Sequence, residues 1–382
     1  MRAETSARAR YGSWMEGTLY RRPLPADAIA FSSAEGRALF AEALAAGGMD
    51  GYFPLAEQFH TQSDPAFCGL GSLVVALNAL GVDPGRLWKG PWRWFAEDLL
   101  DCCVPLEEVR ARGLDVDELT CLARCNGAEV VLERADATNL GRWRDDLAAG
   151  ARGDAVIVAA YDRTAMGQTG GGHFSPIGGY HAARDLLLVL DVARFKYPPH
   201  WVSAERVWRA MQPVDVVTGR ARGWMRLRRR SSGIGLGFTV SCRGDSLGGL
   251  AGRLEAVIAE AGEGAGLDAL ARALLPLTAQ VEVRTPTAAA HAAALDAARA
   301  ALRALPSYAT IAGAVGEERA EGVAMLLLVV GDRLSGDQRS AVGALQATSD
   351  GGDGVASLET ELQNLRAQLA ALSASPASPA ST

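Results

Sequence analysis

The stretch between residues 172 and 192 limits the fold most. Two apolar segments, G172-H-F-S-P-I-G-G-Y180 and L186-L-L-V-L-D-V192, flank the short polar stretch H-A-A-R-D. Runs of this kind joined by so few residues return on themselves as antiparallel strands. Ala155 to Ala160 is a further buried apolar run and reads as a third strand. Upstream the periodicity is helical. Phe31 to Ala46 is opened by Ser32 or Ser33, carries Glu35 in its first turn and is closed by Gly47 and Gly48. A second helix follows Cys68, with Leu70, Leu73, Val74, Leu77 and Leu80 on one face and Gly81 as its stop. Helices first and an antiparallel sheet after predict an α+β fold.

The chain has 382 residues, enough for two domains, and its composition shifts near Gly244. All six cysteines and four of the five histidines precede that point. The predicted organisation is a flexible segment over 1–18, a chemically loaded domain over 19–242 and a smaller Ala-rich α/β domain over 250–346. Within the latter, Leu250 to Ala261 and Ala288 to Leu305 read as helices and Val323 to Val330 as a buried strand. A linker over 349–354 precedes an amphipathic helix over 355–372. There Leu358, Leu362, Leu365, Leu369 and Leu372 make a two-heptad seam, suited equally to docking on its own domain and to a homodimer. Residues 373–382, all Ser, Ala, Pro and Thr, are expected to be disordered.

Net charge is −6, which gives no general affinity for nucleic acid, and no apolar run approaches the roughly 20 residues of a membrane span. The N-terminal residues lack a secretory h-region, while Glu4 and Glu16 argue against a transit peptide. Few cysteines for this length suit a reducing compartment, so a cytoplasmic location is expected.

Cys68 stands immediately before a helix, where unpaired backbone N–H groups and the positive end of the helix dipole stabilise a thiolate. Gly69 and Gly71 leave room for a substrate backbone, and Gln62 is placed to offer an amide to a developing oxyanion beside the Cys68 N–H. A nucleophilic thiol needs a base, and the base needs an orienting group. His173 and Asp191 supply them if the hairpin has an even register sum, as a three-residue loop over His181 to Ala183 would give. They would then lie opposite each other, about 5 Å apart at Cβ. Taken alone, Cys68 and His173 each read more readily as structural. Together they make a papain-type arrangement.

F59-H-T-Q-S-D-P-A-F-C-G-L70, G85-R-L-W-K-G-P-W-R-W-F95, Q168-T-G-G-G-H-F-S-P-I-G-G-Y180 and L190-D-V-A-R-F-K-Y-P-P-H-W201 resemble the phytochelatin synthase family. These are glutathione γ-glutamylcysteinyltransferases of the papain-like clan. The resemblance covers about Leu19 to Cys242. It implies a papain-like catalytic domain, with Cys68 as acylated nucleophile, His173 as acid and base, Asp191 as its orienter and Gln62 as oxyanion donor. It also implies transpeptidation of glutathione into (γ-Glu-Cys)n-Gly peptides for heavy-metal detoxification. Glutathione, its metal thiolates and phytochelatins would be the substrates. No cofactor would be tightly bound, and Cd²⁺ or Zn²⁺ would act chiefly as glutathione thiolates. By the same resemblance Asp215 and Arg222 take the α-amine and α-carboxylate of γ-Glu; Arg194, Lys196 and Tyr197 follow Asp191 closely enough to line the acceptor side, and read otherwise as solvated surface residues.

Cys102, Cys103, Cys121 and Cys125 have two readings. Cys121 and Cys125 share a helix face and with the adjacent pair could form a thiolate metal site. Adjacent cysteines are poor tetrahedral partners, which favours buried structural thiols. No cysteine follows Cys242, so metal sensing by C-terminal thiols is not expected. Two other functions remain open: a thiol peptidase that stops at γ-Glu-Cys and glycine, and a non-catalytic thiol or heavy-metal binder.

Overall fold

The structure, a computed structural model, describes residues 22–84, 87–230, 238–240, 247–262, 264–283, 289–331, 334, 336–342, 356–363 and 365–366. It divides into two compact units, Met1–Leu80 with Val131–Arg228 and Gly81–Val130 with Arg229–Thr382. Residues 81–130, expected within a continuous first domain, thus group with the C-terminal part. The expected segments over 1–18, 349–354 and 373–382 lie outside the described residues.

Helices and a largely antiparallel sheet make the chain α+β. The sheet strands are β1 Ile29–Ala30, β2 Ala128–Arg134, β3 Val156–Asp162, β4 Gly172–His181, β5 Leu186–Val189, β6 His200–Ser203 and β7 Gly223–Arg229, in the order β1-β6-β5-β4-β3-β7-β2. The pairings from β1 through β7 are antiparallel.

The first helix runs Ala34–Ala45; the Ser33 hydroxyl accepts the Gly36 N–H at 2.9 Å, and Gly47 takes φ +72° beyond its end. The second, Cys68–Ala79, is buried along its whole length from Gly69 to Leu77 rather than on one face. In the first unit's core, Trp143 and Trp224 pack with ring centroids 5.1 Å apart. Both indole N–H groups find acceptors there, Trp143 on the Ala204 carbonyl and Trp224 on Asp146. Asp146 also takes Arg226, so the basic stretch along β7 is partly paired and partly solvated.

The β4–β5 hairpin forms, but not in the expected register. Ala182–Arg184 is a 3-10 turn followed by Asp185 at φ +51°, and the first pairs are His181↔Leu186, Tyr180↔Leu187 and Gly179↔Leu188. That loop is longer than expected and the register sum is odd, which would turn His173 and Asp191 to opposite faces. A bulge between Ile177 and Gly179 then slips the pairing to Ile177↔Val189, and the Leu190 N–H continues it to the Pro176 carbonyl. The slip restores even parity. Gly178 is the extra residue; a Cβ there would lie 2.9 Å from Leu190 Cγ.

In the second unit, helix Val116–Cys125 opens with a capping box between Asp115 and Glu118. The expected helices appear as Leu247–Ala261 and Ala289–Arg303. The expected strand Val323 to Val330 is instead the end of helix Glu317–Val329. A short apolar run has no period of its own, and here the helix-forming residues before it decide its conformation; Val323 to Val329 are buried all round. Strands Phe238–Val240 and Val281–Val283 pair antiparallel. In the leucine repeat, residues 356–363 are helical and Leu358, Leu362 and Leu365 are buried. Arg366 donates to the carbonyls of Leu328 and Val329 at the end of helix Glu317–Val329, so this part of the seam docks within its own unit. Among the described residues, no helix is long and apolar enough to cross a membrane.

Candidate active site

Cys68 is the first residue of its helix, and no side chain caps that end. Its first-turn N–H groups and the helix dipole therefore act at the sulfur. Across from it β4 carries His173, which lies opposite Tyr161 in β3 with the two rings edge to face at 5.6 Å. His173 Nε2 donates to Asp191 Oδ1 at 2.9 Å, which leaves Nδ1 for the thiol. His173 and the Phe174 N–H both act to lower the Cys68 thiol.

The electrostatics follow from these contacts. Burial pushes the Cys68 thiol up, but the charge and hydrogen bond of His173, the Phe174 N–H and the Arg163 charge outweigh it, and the thiol lies below the ordinary cysteine value. Burial pushes His173 down, and Asp191 more than reverses this, holding the imidazole above its usual value. Burial likewise raises Asp191, while His173, Arg163 and His200 hold it well below the carboxylate range. A lowered thiol and a raised imidazole both shift toward a thiolate–imidazolium pair, the form that attacks a carbonyl and returns a proton to a leaving group.

Asp191 is fully buried and lies just past β5, where the chain leaves the sheet. Its Oδ1 also accepts the Ala193 N–H at 2.9 Å, and Arg163 Nη2 donates to Oδ1 at 2.9 Å and to Oδ2 at 2.8 Å. Arg163 was not among the sequence candidates. Its signal was available: an arginine directly after a buried strand and before the glycine-rich 167–172 turn. Its Nη1 donates to Gln168 Oε1, its guanidinium lies over the Tyr197 ring at 5.0 Å, and the Gln168 amide donates to His200 Nε2 at 3.3 Å. His200 Nδ1 donates to the Pro198 carbonyl, and burial lowers the pKa of that imidazole. The loop that delivers Gln168 turns at Gly170, whose φ of +111° disfavours any side chain.

Gln62 is buried, and its backbone N–H donates to the Val192 carbonyl at 3.0 Å, tying the Cys68 approach to the Asp191 segment. Its amide nitrogen donates to the carbonyls of Asp64 and Pro65, at 2.8 and 2.9 Å, so both amide hydrogens are engaged. At the helix start beside it, the N-cap residue Phe67 makes no side-chain capping bond.

Arg222 Nη2 pairs with Asp215 at 2.9 Å, and its guanidinium lies 3.4 Å from where a Cβ on Gly172 would stand. The pair therefore sits one residue from His173. Val216, almost fully exposed, follows Asp215 in the turn. Arg194 is exposed and lies over Phe59 at 4.8 Å, within the segment leading to Cys68. Lys196 donates to the Thr169 carbonyl, and burial with the Arg163 charge lowers its pKa. Tyr197 is buried, its hydroxyl accepting the Thr169 N–H at 2.8 Å; it supports Arg163 and the Thr169 turn from below.

In the second unit the Cys102, Cys103 and Cys125 sulfurs lie within 4.8 Å of one another, and Cys103 Sγ approaches Cys121 Sγ at 2.7 Å. Burial and the neighbouring thiols raise Cys103 well above the ordinary value, opposite to Cys68.

A family profile described as phytochelatin synthase matches residues 19–224. Glutathione gamma-glutamylcysteinyltransferase 1 of Triticum aestivum is 56% identical over 227 residues, 59% of this chain and 45% of that protein. The Arabidopsis thaliana protein of the same name is 51% identical over 231 residues, 60% of this chain and 48% of that protein. Glutathione gamma-glutamylcysteinyltransferase of Schizosaccharomyces pombe is 42% identical over 214 residues, 56% of this chain and 52% of that protein. The chain spans about half the length of the curated relatives it matches.

Proposed function

The chain belongs to the phytochelatin synthase family, and we propose that its first unit is a papain-like catalytic domain transferring γ-Glu-Cys from glutathione to a second glutathione or a growing peptide. The observation that carries this reading is the Cys68, His173 and Asp191 set with the Asp215–Arg222 pair one residue from His173.

The Cys68 thiolate attacks the carbonyl carbon of the Cys–Gly peptide bond. The Cys68 N–H and the open helix start receive the oxyanion, with Gln62 contributing if its amide exchanges a carbonyl for it. His173 Nδ1–H gives its proton to the departing glycine amine as the C–N bond breaks, leaving a γ-Glu-Cys thioester on Cys68. The amine of the acceptor then attacks that carbonyl, His173 takes its proton, and the thiolate leaves. Asp191 keeps the imidazole in the tautomer this requires.

The γ-Glu head carries an α-amine and an α-carboxylate. Inserted between Asp215 and Arg222, it replaces one ion pair with two, a gain reserved for an α-amino acid end. Arg194 and Lys196 would meet the acceptor, with Tyr197 holding the support beneath them. Soft metal ions enter as glutathione thiolates, that is, as acceptor substrates. The reducing cytoplasm is the setting where glutathione and a free Cys68 coexist.

Mass spectrometry of the products from purified protein and glutathione, with and without Cd²⁺ and beside Cys68→Ser, tests this reading. Peptides growing in γ-Glu-Cys steps, absent in the variant, support it. γ-Glu-Cys and glycine alone make the protein a peptidase, and no conversion under reducing conditions overturns both.

A further inference from the structure

Arg163 grips Asp191 with one nitrogen. A guanidinium left to itself meets a carboxylate fork to fork, two nitrogens on two oxygens. Here Nη2 alone reaches both Oδ1, at 2.9 Å, and Oδ2, at 2.8 Å, while Nη1 is turned away to Gln168 Oε1. Oδ1 also takes His173 Nε2 and the Ala193 N–H, each at 2.9 Å, which makes three donors on one oxygen. The atom that orients the base is therefore crowded, and a closer guanidinium would compete with the imidazole for it.

Side chains from two other segments hold Nη1 away. Gln168 stands in the turn after β3, its N–H tied back to the Arg163 carbonyl at 2.8 Å, and the Arg163 N–H returns to the Gly171 carbonyl at 2.9 Å. The Gln168 amide oxygen is taken by Arg163, so its amide nitrogen faces His200 Nε2, 3.3 Å away. His200, at the start of β6, has then to accept at Nε2 and to donate from Nδ1, and the Pro198 carbonyl lies 2.9 Å from Nδ1. Outward from Arg163 each donor meets an acceptor in one allowed direction, and the far end is fixed to the backbone. Gln168 and His200 are 4% and 0% exposed, so bulk water does not take over a partner that either one loses.

We propose that Gln168 and His200 are positioning residues for the reaction proposed above: they hold Arg163 to its one-nitrogen contact and so keep Asp191 Oδ1 for His173. This rests on the reading of Cys68, His173 and Asp191 as the reacting set. Without the brace the guanidinium turns its fork onto both carboxylate oxygens. The Ala193 N–H is fixed by the backbone two residues from Asp191, so the imidazole is the donor that gives way. The titratable groups that bear on His173 are Asp191, Arg163 and Cys68, with Tyr161 against its ring and His200 as a like charge. Of these, the brace moves Arg163.

The test follows alkylation of Cys68 by a haloacetamide across pH in the full chain, with no glutathione present. Its rate has an upper inflection where the His173 imidazolium loses its proton. Gln168→Leu and His200→Phe should each move that inflection down by about one pH unit or more, as a histidine does on losing a carboxylate contact. Loss of the His200 charge by itself would raise it, so a fall in His200→Phe reads the brace. Arg163→Met should lie above wild type, because the Arg163 charge holds His173 down, and neither substitution should move the inflection further in that background. Gln168→Glu keeps an acceptor for Nη1 and should not lower it. A fall of equal size with and without Arg163 is general loosening and overturns the proposal. So does an inflection that stays or rises in Gln168→Leu and His200→Phe, or one that falls in Gln168→Glu. A wild-type profile without the inflection overturns the proposal together with the reading it rests on.

Discussion

Replacing Asp191 by Asn probes the central pair most directly. Asp191 Oδ1 accepts from His173, Ala193 and Arg163, and Oδ2 from Arg163 alone. An amide has one acceptor oxygen. If it faces His173, the new NH₂ meets the Arg163 guanidinium; if it is turned round, the NH₂ meets His173 Nε2–H and the Ala193 N–H. Either way a buried donor faces a donor. At an effective dielectric of about 20, opposite unit charges about 3 Å apart attract by about 6 kcal/mol, and Arg163 opposes part of this at His173. Turnover should fall roughly 10³ to 10⁴-fold, as when a triad acid loses its charge. The sharper test needs no substrate. Alkylation of Cys68 by a haloacetamide, followed across pH by mass spectrometry of its peptide, has a lower inflection where the thiolate pair forms and an upper one where the imidazolium loses its proton. Asp191 raises His173 and Arg163 lowers it. The upper inflection should therefore move to lower pH in Asp191→Asn and to higher pH in Arg163→Met. Movement of both in the same direction, or of neither, refutes the electrostatic reasoning, since general loosening of the site has no reason to separate them.

Stability should follow the same carboxyl. Asp191 is held below its ordinary value of about 3.9, so its contribution is whole above that pH and is lost as pH falls toward the lowered value. Asp191→Asn, less stable at pH 7, should lose less further stability between about pH 5 and pH 2 in denaturant titrations. Gly178→Ala forces Leu190 aside, next to Asp191; a cost of about 1–3 kcal/mol in unfolding should accompany a larger loss of Cys68 alkylation at mildly acid pH. Arg222→Gln should raise the KM for glutathione at least about tenfold, with Cys68 alkylation by the haloacetamide unchanged; an altered alkylation profile would mean that the residue serves the triad instead.

The meeting of Cys68, His173 and Asp191 was legible because each residue carried its own local signal: a thiol before a helical period, a histidine within a strand, a carboxylate at the end of an apolar run. Their register was not. A loop of three was the simplest way to align His173 with Asp191, whereas the chain uses the Ala182–Arg184 turn and corrects parity with Gly178, and nothing in a glycine pair says which residue is the extra one. Arg163 escaped because charge at the end of a strand reads as solvated until the fold places it over Asp191. Val323 to Val330 misled because burial on every side erases the period that separates helix from strand.

The stretch 81–130 separates Cys68 in sequence from the other side chains that lower its pKa. His173, Phe174 and Arg163, which outweigh burial at Cys68, all lie beyond that segment. At ribosomal rates of about 5–20 residues per second, roughly 5–20 s of synthesis pass between the codon for Cys68 and the codon for its base. Through that interval the nascent chain carries an ordinary thiol, poorly reactive at neutral pH and harmless to bystander disulfides and esters. On the proposed reading Cys68 gains its lowered pKa only when the hairpin closes over it, so the appearance of acid-resistant alkylation at Cys68 should mark the completion of folding in the first unit.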